Sequence, residues 1–165
     1  SEGVFIGYRW FEQQNIAPLF AFGHGLSYSQ FDYSNIRLSS ANIANNDMAN
    51  NDMANDDIAG DDIITVEVDV TNTSKVDGAE VAQLYLHDIK ASVPRPAKEL
   101  KGFEKLWLKA GETKTASFTL TQRDLSFWDV NTNSWLAESG QFEVMIGASV
   151  ADIRLRKRFN YLSVK

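Results

Sequence analysis

The chain has 165 residues and 44% of them are hydrophobic, which is enough for a single domain with a packed core and a short appendage. Its formal net charge of -6 excludes a typical nucleic-acid-binding protein, because such proteins cluster Lys and Arg against phosphates. The absence of Cys excludes disulfides and thiolate zinc sites, and no apolar run approaches the roughly 20 residues of a membrane-spanning helix, so neither nucleic acid nor membrane is an expected partner.

The N-terminal segment, residues 1–33, differs in pattern from the rest of the chain. Residues 4–10 (VFIGYRW) are predicted to form one strand with no evident pairing partner in the chain. An unpaired strand with apolar side chains favours contact with another chain or with another part of the same protein. The apolar side chains expected at that contact are Val4, Ile6, Phe20 and Phe22.

Residues 44–63 consist of four five-residue units, ANNDM, ANNDM, ANDDI and AGDDI. A period of five matches neither a helix nor a strand, so we interpret residues 41–62 as an expanded, solvated loop between the first two strands. Calcium binding is the alternative, because the repeats are rich in carboxylate oxygens. An EF-hand alignment with Gly60 at the sixth position places Val66 where the bidentate Glu is needed, which favours the loop.

From Ile63 onward, apolar and polar residues alternate with the period of two that is typical of strands with one buried face. The first such row is Ile64, Val66, Val68 and Val70, and similar rows follow at residues 116–120, 142–146 and 153–159. No segment shows the pattern of a long amphipathic helix. The sequence therefore predicts an all-β protein, an immunoglobulin or fibronectin type III-like sandwich of about seven short antiparallel strands.

Three glycines separate these strand patterns and are predicted to form tight turns with positive backbone angles. They are Gly78, Gly111 and Gly140.

Residues 92–97 (SVPRPA) form a proline-stiffened loop. Pro94 and Pro96 are expected to hold Arg95 extended, a geometry suited to docking on another surface or to reaching a carboxylate. These three residues are candidate interdomain contacts, together with Phe20 and Phe22. The competing interpretation is a plain strand connection.

Three Trp residues are candidates for contact with a sugar, because flat rings stack on the apolar face of pyranoses. Trp107 shares a strand face with Lys105 and is therefore expected to point outward. Trp128 and Trp135 flank a turn at residues 131–134, so cross-strand pairing alone would explain both. Sugar stacking would require at least two exposed and coplanar rings.

Two carboxylate pairs and two His are the candidates for catalysis. They are Glu99 with Glu104, Asp124 with Asp129, His24 and His87. The carboxylates are interpreted as parts of solvated faces, because nothing nearby separates the pKa values within a pair. The His between two glycines is expected to stabilise a turn, and neither His accompanies a nucleophile motif such as G-x-S-x-G. No residue of the chain is predicted to be catalytic or to bind a metal.

Four blocks carry a recognisable pattern, namely residues 18–33 (PLFAFGHGLSYSQFDY) with residues 2–11 before them, residues 70–86, residues 92–105 and residues 125–129. In this order they resemble family 3 glycoside hydrolases, at the junction between the second catalytic domain and a C-terminal fibronectin type III-like domain. The resemblance implies that residues 1–33 are a junction segment with the last strand of the catalytic domain, and that residues 34–165 are the sandwich.

The resemblance also implies a parent protein, a retaining β-glycosidase of the β-glucosidase type that acts on β-linked glucosides or oligosaccharides through two carboxylates. In that family both carboxylates lie upstream of the junction, so no catalytic residue is carried over, and no cofactor is expected. The chain is then a non-catalytic structural module that braces catalytic domains in the same enzyme or in a companion chain, and alone it is expected to be inactive.

The competing hypothesis is a carbohydrate-binding or adhesion module that contacts oligo- or polysaccharide through exposed Trp residues. The sequence does not determine the cellular compartment, and a periplasmic or secreted location is favoured over the cytoplasm.

Overall fold

The computed structural model describes residues 4–18, 29–45 and 62–163. These residues form ten strands and two short helices. In chain order they are α1 (Tyr8–Gln13), β1 (Phe31–Leu38), β2 (Asn42–Asn45), β3 (Asp62–Asn72), β4 (Gly78–Asp88), β5 (Glu99–Leu108), β6 (Thr113–Thr121), α2 (Gln122–Leu125), β7 (Phe127–Asp129), β8 (Ser134–Leu136), β9 (Gly140–Ser149) and β10 (Asp152–Ser163). None of the helices in this part of the chain is long and apolar enough to cross a membrane.

The strands form two facing sheets and a separate hairpin. One sheet has the order β1-β3-β6, the other has the order β2-β10-β9-β4-β5, and β7 pairs with β8 outside both. The predicted sandwich is confirmed. The pairs are antiparallel except that β2 runs parallel to β10, so β2 is a short strand inside the stretch predicted to be a loop. The first sandwich strand begins at Phe31, before the predicted boundary at residue 34.

The core confirms the predicted alternation. Ile64, Val66, Val68 and Val70 of β3 are buried, as are the inward rows of β6, its neighbour in the same sheet, and of β9 in the facing sheet. Phe142 and Phe159 stack across β9 and β10, with ring centroids 5.6 Å apart. Each such side chain contributes about 1.5–3 kcal/mol when fully removed from water, so these rows supply most of the driving force for the sandwich.

The predicted turn geometry is right at one glycine and wrong at two. Gly111 has a φ of +75°, as a tight turn between β5 and β6 requires. Gly78 and Gly140 do not have positive φ. Glycine is instead needed at position 78 because the side chain of Ser29 lies close to the backbone there, and a Cβ would collide with it. In the β7–β8 hairpin, Asn133 supplies the positive φ.

The predicted strand over residues 4–10 is wrong, because residues 8–13 form helix α1. Gly7 has a φ of 60° and a ψ of -132°, which interrupts an extended chain immediately before the helix. Glu12 and Gln13 are good helix formers, and residue 8 packs on the sandwich instead of joining a sheet. Val4 and Ile6 are exposed, as expected of side chains not buried within this chain.

Several predictions fall on residues that the structure does not describe. Phe20, Phe22 and His24 lie outside the described residues, and so does most of the five-residue repeat.

Candidate functional site

An apolar concavity lies at one end of the sandwich, where β4 and β6 finish and β5 and β9 begin. It is a groove of about 660 Å³ between the N-terminal segment, the proline-stiffened loop and the β7–β8 hairpin. The residues that line it are Val4, Arg9, Val93, Pro94, Arg95, Pro96, Glu99, Lys101, Arg123, Asp124, Ser126, Phe127, Trp128, Asp129, Val130, Asn131 and Trp135. The fold thus brings the candidate contacts in residues 92–97 next to two of the three candidate Trp residues.

The side chain of Arg95 points into the protein and not toward solvent. Its side chain is only 6% exposed, and its Nε donates to Glu99 Oε1 at 3.0 Å. Its Nη1 donates to the Leu125 carbonyl at 2.9 Å and to Asp88 Oδ2 at 3.4 Å. Of the two roles expected for Arg95, the structure shows the second: the side chain reaches two carboxylates, which belong to β4 and β5 of the same chain. Arg95 joins these strands to the end of α2 and fixes the floor of the groove.

The two prolines of the loop have different environments. Pro96 is buried, whereas Pro94 is exposed at the groove. Pro94 thus keeps the accessibility expected of a docking residue, while the buried Pro96 and Arg95 hold the loop in place.

The two carboxylates around Arg95 respond differently to their environment. Burial raises the pKa of Asp88, since the N–H of Lys90 and the Arg95 charge only partly offset the lost hydration. Burial alone would also raise the pKa of Glu99, but the hydrogen bond and charge of Arg95, with Lys101 at 3.2 Å, hold it below its ordinary value. Glu99 therefore remains the anionic partner of Arg95, and its interpretation as part of a solvated face is wrong.

The other candidate carboxylates are also occupied by structural hydrogen bonds. Glu104 Oε2 accepts from the Ser117 N–H at 2.7 Å. Asp124 completes a capping box with Thr121 at the start of α2. The Asn131 N–H, followed by the Thr132 hydroxyl, lowers the pKa of Asp129, which closes the hairpin turn. Each of these groups has a role in the fold, which leaves none poised as an acid and base pair.

The hairpin presents two exposed indoles in a fixed arrangement. Trp128 lies directly opposite Trp135, as predicted for a cross-strand pair, and their centroids are 5.6 Å apart with planes at 73°. The Arg123 guanidinium lies 3.6 Å from the centroid of Trp135 and covers one face of that ring. The two rings are 45% and 46% exposed, but they are not coplanar, so this pair does not meet the condition set for sugar stacking.

Trp107 points outward as predicted, but away from the groove. It lies on β5, at the edge of the five-stranded sheet, and is 61% exposed beside Phe103, which is 71% exposed. Lys105 stands between them on the same face. His87, the other titratable candidate on this sheet, lies opposite Glu143 in the β4–β9 register.

Sequence reasoning missed the contacts that attach α1 to the outer face of the five-stranded sheet. The Leu100 N–H donates to the Tyr8 hydroxyl at 3.1 Å, and the Tyr8 ring meets Tyr85 edge to face with centroids 6.4 Å apart. Lys98 forms an ion pair with Glu12 at 2.8 Å. No local signal could have identified these partners, because they lie 77 to 92 positions apart along the chain.

In residues 4–18, 29–45 and 62–163, no three His, Asp or Glu side chains come together as a metal site would require.

Comparison with known proteins agrees with this architecture. Residues 80–150 match the family described as the fibronectin type III-like domain, which defines the class of the sandwich. The chain is 44% identical over 156 residues to thermostable beta-glucosidase B of Acetivibrio thermocellus, covering 94% of this chain and 19% of that protein. It is 43% identical over 159 residues to probable beta-glucosidase L of Emericella nidulans, covering 96% of this chain and 22% of that protein.

Solved structures give the same result. A beta-D-glucoside glucohydrolase from Trichoderma reesei matches with a TM-score of 0.80 at 39% identity, over 97% of this chain and 22% of that one. The Bifidobacterium adolescentis beta-glucosidase of glycoside hydrolase family 3 matches with a TM-score of 0.81 at 36% identity, over 97% of this chain and 21% of that one. Residues 80–150 thus match the fibronectin type III-like domain, and almost the whole chain is similar to a segment of beta-glucosidases that spans about a fifth of the length of these relatives.

Proposed function

We propose that the chain is a non-catalytic structural module of a retaining β-glucosidase-like enzyme that hydrolyses β-linked glucosides or oligosaccharides, and that it braces the catalytic domains. The observation that carries the proposal is the attachment of α1 to the sandwich. A polypeptide that enters through residues 4–7 is held in a fixed direction by the helix that follows.

The attachment combines apolar packing with polar bonds. Tyr85, Met145 and Val150 form a second buried cluster on the outer face of the five-stranded sheet, and Tyr8 packs against it. Lys98 contacts both Glu12 of α1 and, at 3.0 Å, the carbonyl of Val150. The helix is therefore tied to β4, β5 and the β9–β10 turn at once, which is what a rigid connection between domains requires.

The state of the carboxylates supports a role without catalysis. Retaining glycosidases need two carboxyl groups about 5–5.5 Å apart, one of them free to act as a nucleophile. Glu99, Glu104, Asp124 and Asp129 are each held by hydrogen bonds that build the fold. The catalytic pair then belongs to other domains of the parent protein, by which we mean the full polypeptide that contains this chain, or to a companion chain.

The test is hydrolysis of an aryl β-glucoside by three samples: the chain alone, the rest of the parent protein alone, and the two mixed. We expect the chain to be inactive and the mixture to be more active and more heat-resistant than the rest alone. Activity of the chain by itself, or a remainder that is equally active and stable without it, would contradict the proposal.

A carbohydrate-binding role is the second candidate, and the exposed Phe103 and Trp107 of β5 favour it. Four residues apart on one face of a strand, they lie about 13 Å apart, so two rings could contact separate sugars of a chain. Retention of the chain by an insoluble β-glucan, abolished by Trp107→Ala and unaffected by Trp128→Ala, would support this role. Failure of the insoluble glucan to retain the chain would exclude this role.

A further inference from the structure

We infer that the groove at the end of the sandwich is the docking site for a surface loop of the catalytic portion of the same polypeptide, and that this loop carries apolar side chains and at least one carboxylate. The inference rests on the proposed function, because it takes the remainder of a β-glucosidase as the partner.

The first argument is the apolar surface. Val130, at the tip of the β7–β8 hairpin, is 79% exposed, and the two indoles beside it are nearly half exposed. Val4 and Pro94 line the opposite wall and are also exposed. A concave apolar surface built from three separate elements is typical of an interaction site.

The second argument is rigidity. The hairpin is held by the Trp128–Trp135 pair and by Arg123 over Trp135, and the floor is held by the buried Arg95 ion pairs. A preformed groove loses little conformational entropy when a partner binds, so a modest apolar contact is enough for stable docking.

The third argument is charge. Within the groove, Glu99 is paired with Arg95, Asp124 caps α2, and Asp129 closes the hairpin turn. Arg9 and Arg123 line the same groove, and neither forms an ion pair with any described residue. Two guanidinium groups of the groove thus have no ion-pair partner among the described residues, and both can bind a carboxylate.

The fourth argument concerns the class of ligand. A pyranose would need flat faces, but the indole planes meet at 73° and Arg123 occupies one face of Trp135. A bent apolar cleft with cations at its rim suits a protein loop better than a sugar ring. The matched segment is 19% and 22% of the length of two relatives, so about four-fifths of such an enzyme is available to supply that loop.

The test is photo-cross-linking in the full parent protein. A benzophenone amino acid is placed at Val130, and in a control protein at Val76, which is 54% exposed in the β3–β4 turn away from the groove. We expect Val130 to give at least about tenfold more cross-linked product than Val76, because a docked loop is present in most molecules and a chance collision is not. Peptide mapping should place the product within one polypeptide, outside these 165 residues.

Charge is tested in the same protein. Arg9→Gln should lower the Val130 yield at least about threefold, and Arg9→Lys should retain most of it, because the positive charge is kept and Arg9, unlike Arg123, does not hold the hairpin. Equal yields in all three proteins would overturn the carboxylate part of the inference.

Cross-links only to a second copy, only to added oligosaccharide, or at the level of Val76 would overturn the docking site.

These outcomes are distinct from a failure of the proposed function. If the chain braces the enzyme through α1 alone, mixing restores activity while Val130 forms no product. If the chain does not brace the enzyme, the Val130 product can form without any effect of mixing on activity.

Discussion

At the scale of single residues, Arg95 determines how the end of the sandwich is built. Its guanidinium binds two carboxylates and one carbonyl, all supplied by different elements and nearly all removed from water. A buried ion pair adds little stability compared with apolar residues, but removing one partner leaves an uncompensated charge. The geometry of the groove therefore depends on a side chain that is itself almost wholly buried at its floor.

We expect Arg95→Ala to destabilise the domain by about 3–5 kcal/mol, because it leaves Glu99 and Asp88 buried without their cation. The matched control is Arg37→Ala. Arg37 also binds two carboxylates, Glu67 and Asp69, but it is 43% exposed, so its loss should destabilise the domain far less than the loss of Arg95. Urea denaturation of the two variants measures the difference, and similar losses in both would show that Arg95 is no more than a surface contact.

The lowered pKa of Glu99 predicts the pH dependence of this site. A carboxyl whose pKa is lower in the folded state than in the unfolded one stabilises the fold above its unfolded value, near 4.5, and loses that contribution as the pH falls through the folded pKa. Glu99→Gln should therefore destabilise the domain at about pH 7 and have a progressively smaller effect as the solution is acidified below about pH 4. A loss that is constant with pH, measured by denaturation at several pH values, would rule out the ion pair as its cause.

At the scale of secondary structure, the long core strands could be predicted from sequence, whereas the short strand β2 and the helix α1 could not. The residues of β3 alternate because one face is buried and the other wet, and this local pattern survives any tertiary context. Helix α1 depends on the backbone of Gly7 and on Tyr85, a residue far away in sequence. The candidate site divides in the same way: the stiff loop is visible in its prolines, but the partners of Arg95 meet only in the folded chain.

The turn between β5 and β6 offers a direct test of backbone geometry. Gly111 has a φ of +75°, and neither it nor Gly140 has any atom within 4 Å of where a Cβ would be placed. Gly111→Ala should therefore cost about 1–2 kcal/mol through backbone strain alone. Gly140→Ala, at ordinary φ, should be neutral or stabilise by up to about 1 kcal/mol through a less flexible unfolded chain. Thermal unfolding of both variants distinguishes strain from packing, and equal shifts would contradict the assigned turn.

At the scale of the whole molecule, α1 and the groove lie on neighbouring surfaces and link the N-terminal segment to the sandwich in two ways. Arg9 and Val4 contribute to the groove, while Tyr8 and Glu12 attach the helix to the sheet. If the sandwich braces catalytic domains, loosening α1 must change how those domains respond to heat even though no catalytic residue is altered.

We expect Tyr8→Ala in the parent protein to increase hydrogen exchange at the α1 amides and to shorten the lifetime of β-glucosidase activity on heating, while the initial rate at moderate temperature stays close to that of the unmodified enzyme. The reason is the loss of the Tyr85 contact and of the acceptor for the Leu100 N–H. Trp10→Ala is the control, since Trp10 is on the same helix, is partly exposed and stacks only on Phe11 among the described aromatic rings. Faster exchange without faster inactivation would mean that α1 is attached to the sandwich for the stability of this domain alone, and the brace would then have to act through the groove.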